Sequence, residues 1–484
     1  MNSVSEFRLD EATRQFLKSK FDFFEGMEGN DDVIVPESAR PERLAEIHNL
    51  IGQTLSSQDA HTGIELAMAV AASVNISKRS ATPNPVWMLF VGGPSSAKTA
   101  CVEGLEGASE LVHFVSDQTE NAFISMYRHE GLKMPDEKQL LARLDGKCYA
   151  IRDLTSFFSG KAERVHKWLG DMTSIFDGKF RKETGVGELE LKSVFSTIAC
   201  ITPAALNTYQ KYMASVGGRF LFFPFQPLTD DEQYAGYQLM NTSEKKKLRD
   251  ERLVQLRLLM AEHMIELSSM TSHCTLESSH ITERLWNYAQ FIAAGRSVDI
   301  TEPQATEFGK DRYVTVDQQE EGPFRVFQQL LTLAQCLALV HGRSVITLHE
   351  TDVLLPIVWG SIRSNRSRFL QAFRQTPYQG VTKDCIGHGN TVSERQVSRL
   401  ISDAMTCGLI EQREGRYWAA TKFVKVFEPA RTINHFQDLP PSAELSPRYT
   451  INNIGGSGGG FFRQNPPVIL SYCLRVYRRV HFSP

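Results

Sequence analysis

A chain of 484 residues, 42% hydrophobic and 23% charged, is long enough for about two to four domains and apolar enough to bury a sizeable core. Its net charge of −3 excludes a uniformly basic nucleic-acid coat and leaves local basic patches as the only electrostatic route to a polyanion. The eight cysteines include no CxxC pair, so neither a thiolate zinc site nor a disulfide framework is indicated, and the thiols read as core residues of a cytoplasmic protein. The N-terminus carries no apolar stretch of signal-peptide type, and no run approaches the roughly 18 apolar residues of a membrane helix, so no membrane partner is expected.

Residues 1–76 read as helical: Leu44, Ile47, Leu50 and Ile51 recur near helical period, and 65–74 is Ala-rich and apolar. The polar, Pro-containing stretch 77–85 is a loop. VWMLFVGG follows, a continuous apolar run ending in glycines, which fits a strand buried on both faces of a parallel sheet. Two more such runs lie at 148–151 and 194–201, with helical segments between them. That order predicts an α/β fold with right-handed crossovers and a parallel sheet covered by helices on both faces. Residues 229–297 and 323–373 read as mostly helical. The expected organisation is a helical N-terminal region over 1–76, an α/β core over 77–228, a helical lid over 229–373, a small separate unit over 374–425 and a flexible Pro- and Gly-rich tail over 426–484.

Gly92, Gly93, Pro94, Ser95, Ser96, Ala97, Lys98 and Thr99 stand between the VWMLFV strand and a helix, the context a phosphate-binding loop requires. Backbone N–H groups of such a loop and of the helix N-terminus converge on phosphate oxygens. Lys98 is placed for the β- and γ-phosphates of ATP and the Thr99 hydroxyl for Mg²⁺. The consensus glycine before the lysine is here Ala97, which lacks glycine's freedom at positive φ. The alternative is a Gly-rich turn with a chance Lys-Thr.

Asp153 closes the strand at 148–151 and is the expected second metal ligand, acting through water. Many ATPases follow it with a glutamate that polarises the attacking water. Here the next residue is Leu154, which predicts slow hydrolysis and a gain in turnover from Leu154→Glu. Thr202, at the end of 196–202, is the candidate for the γ-phosphate or its attacking water, or else a simple turn residue.

The order of phosphate loop, Asp-ended strand, hairpin, polar-ended strand and Gly217-Gly218-Arg219-Phe220 resembles the AAA+ ATPases. It is most similar to the branch with a β-hairpin before the sensor strand, which includes the minichromosome-maintenance helicases, and also to ATPases of phages and mobile elements. The resemblance covers about 45–373 and implies a ring-type homo-oligomer. It makes Arg219 an arginine finger for the neighbouring subunit and Arg325, in FRVFQQLL, the second sensor arginine of a lid helix. It also turns the alternating segments 178–183 and 188–192 into a hairpin facing the ring pore, where Lys179, Arg181 and Lys182 would touch DNA. Glu183, Glu188 and Glu190 dilute that charge, so a merely solvated hairpin stays equally open.

Within 374–425, Ser393-Glu394-Arg395-Gln396 starts a helix as a capping box, and Val397, Leu400, Ile401 and Ala404 form its buried face. EQREGRYWAA then reads as two short strands about a glycine turn. The whole resembles a winged helix-turn-helix, which implies DNA contacts from Arg395 and Arg399 on the helix and Arg413 and Arg416 on the wing. Many winged helices bind proteins instead. The basic stretch 362–374 reads as a solvated helix face or an extension of the DNA surface, and 474–480 is basic without an assignable role. Two functions follow: an oligomeric ATPase that moves, opens or loads onto DNA, or a nucleotide-gated DNA-binding regulator with little turnover. A small-molecule kinase sharing the loop is a third class, against which the lid-like and winged regions argue.

Overall fold

The computed structural model describes residues 39–427 apart from 80–83, 117–122, 124–127, 130–131, 134–138, 185–186, 217, 270–274, 305–311, 320, 375–377 and 390–392. The chain divides into two compact units, Met1–Pro440 and Pro441–Pro484, and every described residue lies in the first. The start of the expected N-terminal helical region, nearly all of the tail and its basic stretch 474–480 lie outside the described residues.

Two helices lead in, α1 (Ala39–Thr54) and α2 (Asp59–Arg79), followed by strand β1 (Trp87–Val91) and the short helix α3 (Lys98–Glu103). Strand β2 (Val112–Val115), the small pair β3 (Arg128–His129) and β4 (Leu132–Lys133), helix α4 (Leu140–Leu144) and strand β5 (Cys148–Ile151) come next. Helices α5 (Thr155–Phe158) and α6 (Ala162–Phe176) precede the antiparallel hairpin β6 (Lys179–Thr184) and β7 (Gly187–Lys192). Strand β8 (Ser196–Ile201), helix α7 (Pro203–Val216) and strand β9 (Phe220–Pro224) complete the sheet.

The sheet has five strands in the order β2-β5-β8-β1-β9, all parallel. The apolar runs dictate this: every residue of β1, β5 and β8 is buried, which only a sheet covered on both faces allows. Alternation splits the strands between two cores. Met88, Phe90, Ile198, Cys200, Leu221 and Phe223 belong to the cluster that contains α2. Trp87, Leu89, Ala199, Ile201, Phe220 and Phe222 belong to the other, with Trp168 and Met172 of α6 and Tyr209 of α7.

The expected helical region follows as α8 (Asp230–Gln238), α9 (Ser243–Ser269), α10 (Ser279–Arg296), α11 (Phe324–Val340), α12 (Leu348–Gly360) and α13 (Ser364–Arg374). Short parallel strands β10 (Thr275–Leu276) and β13 (Val345–Ile346) tie it together, and a hairpin, β11 (Val298–Gln304) with β12 (Arg312–Gln319), interrupts it. A buried polar chain fastens this region to α1 and α2. His48 meets Glu65 at 2.8 Å, Glu65 meets His341 at 3.5 Å, and His341 meets Glu350 at 3.1 Å, with Arg343 closing the chain on Glu350.

The last elements are α14 (Lys383–Gly389), α15 (Glu394–Thr406), the antiparallel pair β14 (Ile410–Arg413) and β15 (Arg416–Ala419), and the short helix α16 (Val424–Phe427). Val381 bridges Tyr417, adding a third short partner to the pair. Ser393 starts α15 as its sequence indicates, its hydroxyl accepting from the Gln396 N–H at 3.4 Å. Although its texture reads as a separate unit, 374–425 shares one apolar cluster with the helical region, where the Phe291 ring packs on Phe423 at 5.4 Å. The stretch 362–374 is not a purely solvated face either: Arg366 is 1% exposed and serves as an internal anchor. No described helix is long and apolar enough to cross a membrane.

Candidate functional site

Because the five strands run parallel, their C-terminal ends share one edge, where ligands of open α/β sheets bind. Strand β8 lies between β1 and β5, so the loop 92–99, Thr202 and Asp153 leave three adjacent strands. Val91 is in register with Ile201, and the Gly92 N–H donates to the Ile201 carbonyl at 3.1 Å.

The loop closes on itself. Ser96 Oγ and Lys98 Nζ both donate to the Gly93 carbonyl, at 2.9 and 3.0 Å. A Cβ on Gly92 would stand 2.6 Å from Ser96 Oγ and 2.9 Å from Phe225 Cβ, so only glycine fits there. Ser95 and Ala97 both adopt positive φ, 62° and 66°. Ala97 therefore holds the left-handed conformation that the consensus glycine adopts freely and an L-residue adopts at a cost of roughly 1–2 kcal/mol. Ala97→Gly is expected to relieve that strain and, after the extra chain entropy of glycine, to raise unfolding stability by about 0.5–1 kcal/mol. A shifted denaturation midpoint reads this; a lower midpoint would show that the loop carries no strain at Ala97.

Cys200, at the inner end of β8, marks where the polar groups meet. Burial pushes its thiol up to about 12, while Lys98 and a hydrogen bond with the Thr99 side chain pull it down and Asp153 and Glu103 push it further up. Lys98, Thr99 and Asp153 thus follow the C-terminal ends of neighbouring strands, β1 and β5, on either side of β8. Asp153 Oδ1 accepts from the Thr155 N–H at 2.8 Å, and Thr155 Oγ1 accepts from the Thr202 N–H at 3.1 Å. Thr202 Oγ1 in turn accepts from the Ala205 N–H at 3.4 Å, so its hydroxyl caps α7 as a turn residue would. Thr155, which nothing in the sequence singles out, links the two strand ends.

Leu154 does not face this edge. It is 1% exposed within the core that holds Trp168 and Phe158. A Leu154→Glu carboxylate would therefore enter an apolar core, at a cost of several kcal/mol, roughly. A further carboxylate does stand near. Glu103 pairs with Arg152 at 2.6 Å and with Arg257 at 3.3 Å, bracing the end of α3 against the residue before Asp153 and against α9.

No described group of three or more His, Cys, Asp or Glu side chains forms a metal cage. Mg²⁺ seldom uses one. It is held by one or two carboxylates with substrate phosphates and water, and the exposed Asp153 with the half-buried Thr99 fits that donor set.

Arg219 and Arg325 lie at the other edge. Arg219 precedes β9, whose five residues separate it by roughly 16 Å from the strand's C-terminal end. Arg325 starts α11 beside the segment entering β1, its carbonyl accepting from Asn84 Nδ2 at 3.0 Å. The two guanidinium groups approach one ring, Phe176, at 5.9 and 5.7 Å. Burial, then the Arg325 charge, lowers the proton affinity of Arg219, with Asp177, Tyr209 and Glu321 offsetting. The structure therefore brings Lys98, Thr99, Asp153 and Thr202 together and Arg219 with Arg325 together, but not the two groups within one chain.

Among the candidate polyanion contacts, Arg395 and Arg399 share the exposed face of α15, opposite buried Val397 and Ile401. Arg413 and Arg416 face each other across the hairpin β14–β15. Arg413 is committed internally, to Glu411 and to Thr421 Oγ1 at 2.7 Å. Arg395, Arg399 and Arg416 are exposed and have no acidic partner among the described residues. On β6, Arg181 is exposed, while the side chains of Lys179 and Lys182 lie outside the described residues.

Sequence reading also passes over Arg296, a lone basic residue ending α10. It is 3% exposed, and its guanidinium donates to Gly218 O at 3.1 Å, to Phe220 O and to Ser361 O at 2.8 Å. Its one signal is a basic residue after the apolar last turns of the helix, FIAAG. No protein-family model matches the chain, and no curated protein sequence matches it either, so any reading of the site rests on its own geometry.

Proposed function

We propose that this chain is an ATP-binding ATPase of the AAA+ type that acts on DNA, with Arg219 and Arg325 offered to the nucleotide of a neighbouring copy. The observation that carries this reading is the opposition of two clusters across one parallel sheet. A lysine, a threonine and an aspartate follow adjacent strands at the C-terminal edge, and two arginines approach one phenylalanine ring at the N-terminal edge. Lys98 would leave the Gly93 carbonyl for the β- and γ-phosphates, and the loop amides would hold the remaining oxygens. Thr99 and Asp153 would hold Mg²⁺, which neutralises charge on the bridging phosphate oxygens. The two helices and hairpin of 381–419 support a winged helix-turn-helix whose α15 enters a groove.

Leu154, buried away from the edge, favours one second reading: a nucleotide-gated DNA-binding regulator with little turnover. Steady-state ATP turnover with and without DNA separates the two. Turnover that DNA alters supports the motor or loader; ATP binding and assembly without turnover supports the regulator; absence of ATP binding removes both. For DNA contact, each guanidinium that neutralises a phosphate contributes about 0.9 to the log–log salt slope. Arg416→Ala is expected to flatten the slope by that amount and to weaken binding across sequences. Arg413→Ala is expected to do less, because Glu411 already compensates it. Salt titrations of the two variants check this; equal slopes for both and the parent chain would remove the hairpin from the interface.

A further inference from the structure

Two buried arginines meet at the C-terminal end of α10, and they point in opposite directions. Arg296, the last residue of the helix, holds the carbonyls of Gly218 and Phe220, the two residues flanking Arg219. Its Nη1 also lies 3.7 Å from Glu321, which reaches Arg325 at 3.7 Å. The backbone around Arg219 and the side chain of Arg325 are thus both set from Arg296. A Cβ on Gly218 would stand 2.5 Å from Arg296 Nη1, which shows how closely the two are fitted.

Arg366, on α13, holds the same helix end from the other side. Its Nη1 donates to the carbonyls of Ser297 at 2.7 Å, Gly295 at 3.3 Å and Ala294 at 3.4 Å. Its Nε and Nη2 donate to the two carboxylate oxygens of Asp403, both at 2.7 Å. Asp403 lies on α15, the helix that presents Arg395 and Arg399 to solvent. Ser297 Oγ adds a contact to Cys407, the residue that ends α15, at 3.2 Å.

We infer that the end of α10 is a coupling joint: Asp403, Arg366 and Arg296 transmit the position of α15 to Arg219 and Arg325. This rests on the proposed function, and it names how DNA regulates turnover. The links from Asp403 to Arg366, from Arg366 to the carbonyls at 294–297 and from Arg296 to Gly218 and Phe220 are charge-assisted hydrogen bonds largely out of water, and Glu321 continues the chain to Arg325 as a looser ion pair. A bidentate arginine–carboxylate pair fixes orientation as well as distance. A shift of α15 on binding DNA therefore moves the carbonyls at 294–297, and through Arg296 those on either side of Arg219. Arg366, Asp403 and Arg296 are positioning residues, since none of them lies at the nucleotide.

The test uses the full chain with a short duplex DNA and a non-hydrolysable ATP analogue. In the parent chain, DNA is expected to change turnover by about 5-fold or more, and the analogue to change DNA affinity, since binding linkage is reciprocal. Replacing both partners, Arg366→Met with Asp403→Leu, leaves no orphaned charge and is expected to keep the fold. In that double variant DNA affinity and DNA-free turnover should stay within about 2-fold, while both coupling factors fall towards one. Amide exchange at 218–222, slowed by DNA in the parent chain and indifferent to DNA in the double variant, reads the same link without catalysis. Asp403→Asn, which keeps the shape of the pair and one acceptor oxygen for Arg366, gives the intermediate case, and circular dichroism confirms that each variant is folded. Full coupling retained in either folded variant overturns the inference while leaving the ATPase reading in place. A parent chain that binds neither ATP nor DNA overturns both.

Discussion

Replacing Arg219 with alanine is expected to cut ATP turnover by about 10³–10⁵ while leaving ATP affinity unchanged. The size follows from the role proposed for it: a guanidinium supplied by a neighbour stabilises charge on the transferring phosphoryl group and does little in the ground state. The separation of effects follows from position. Arg219 sits at the N-terminal end of β9, across the sheet from loop 92–99 of its own chain, so its loss removes nothing from that loop. The fold should survive, because Glu321 keeps Arg296 and Arg325, and the backbone around Arg219 is held by Arg296 and by Gln329, whose amide donates to Arg219 O at 2.9 Å. Arg219→Lys should recover only part of the rate, since a point charge does not reproduce a planar fork. Mixing Arg219→Ala with Lys98→Ala gives the decisive measurement. One variant keeps its loop, the other its arginine, and a shared interface joins the intact halves. Restored turnover on mixing supports action between copies; no restoration, from a chain that stays monomeric with ATP and DNA, leaves a nucleotide site that works within one copy.

Three of the five strands were legible, and the buried FLFFP of β9 was passed over although it too is apolar. WMLFV, CYAI and STIACI are apolar throughout because both faces of each strand are covered, and each occurs as a strand. VHFV at β2 was not legible: it lies at the sheet edge, half exposed, and carries no continuous apolar signal. VDITEPQ and RYVTVDQQ pair as a hairpin although polar residues and a proline dilute any alternation. The strand–loop–helix setting of 92–99 could be read, since a buried apolar run ends there in small residues and glycines. The conformation of Ala97 could not, because sequence shows which residue departs from a pattern and not whether the chain bends to accommodate it. Charge misleads most. Arg366 reads as one of several solvated arginines in IRSNRSRFLQAFR, yet it is among the largest fully buried side chains. Its partners are backbone carbonyls and an aspartate 37 residues on, and neither leaves a periodic trace in the sequence.

The Lys98→Ala variant is expected to bind ATP one to two decades more weakly, the effect of losing a charge-assisted contact of about 1.5–3 kcal/mol. Lys98 is 7% exposed, and its amine donates to the Gly93 carbonyl of its own loop. That contact is the arrangement a phosphate would displace. Truncating the side chain costs the fold little, because other bonds shape the loop: Gly92 N–H to Ile201 at 3.1 Å, and Ser96 Oγ to Gly93 at 2.9 Å. The helix behind it is retained through Cys101 and Val102, both buried against the core with α2. Calorimetric titration with ATP and Mg²⁺ measures the affinity, and circular dichroism confirms that the variant is folded. Binding should weaken for ATP and ADP alike if Lys98 spans the β- and γ-phosphates, and more for ATP if its contact is mainly with the γ-phosphate. Equal ATP affinity in a folded Lys98→Ala variant would mean that loop 92–99 is a glycine-rich turn with a chance lysine. The proposals for Thr99, Asp153 and Arg219 would then fall with it, since each is placed by reference to a phosphate chain held at that loop.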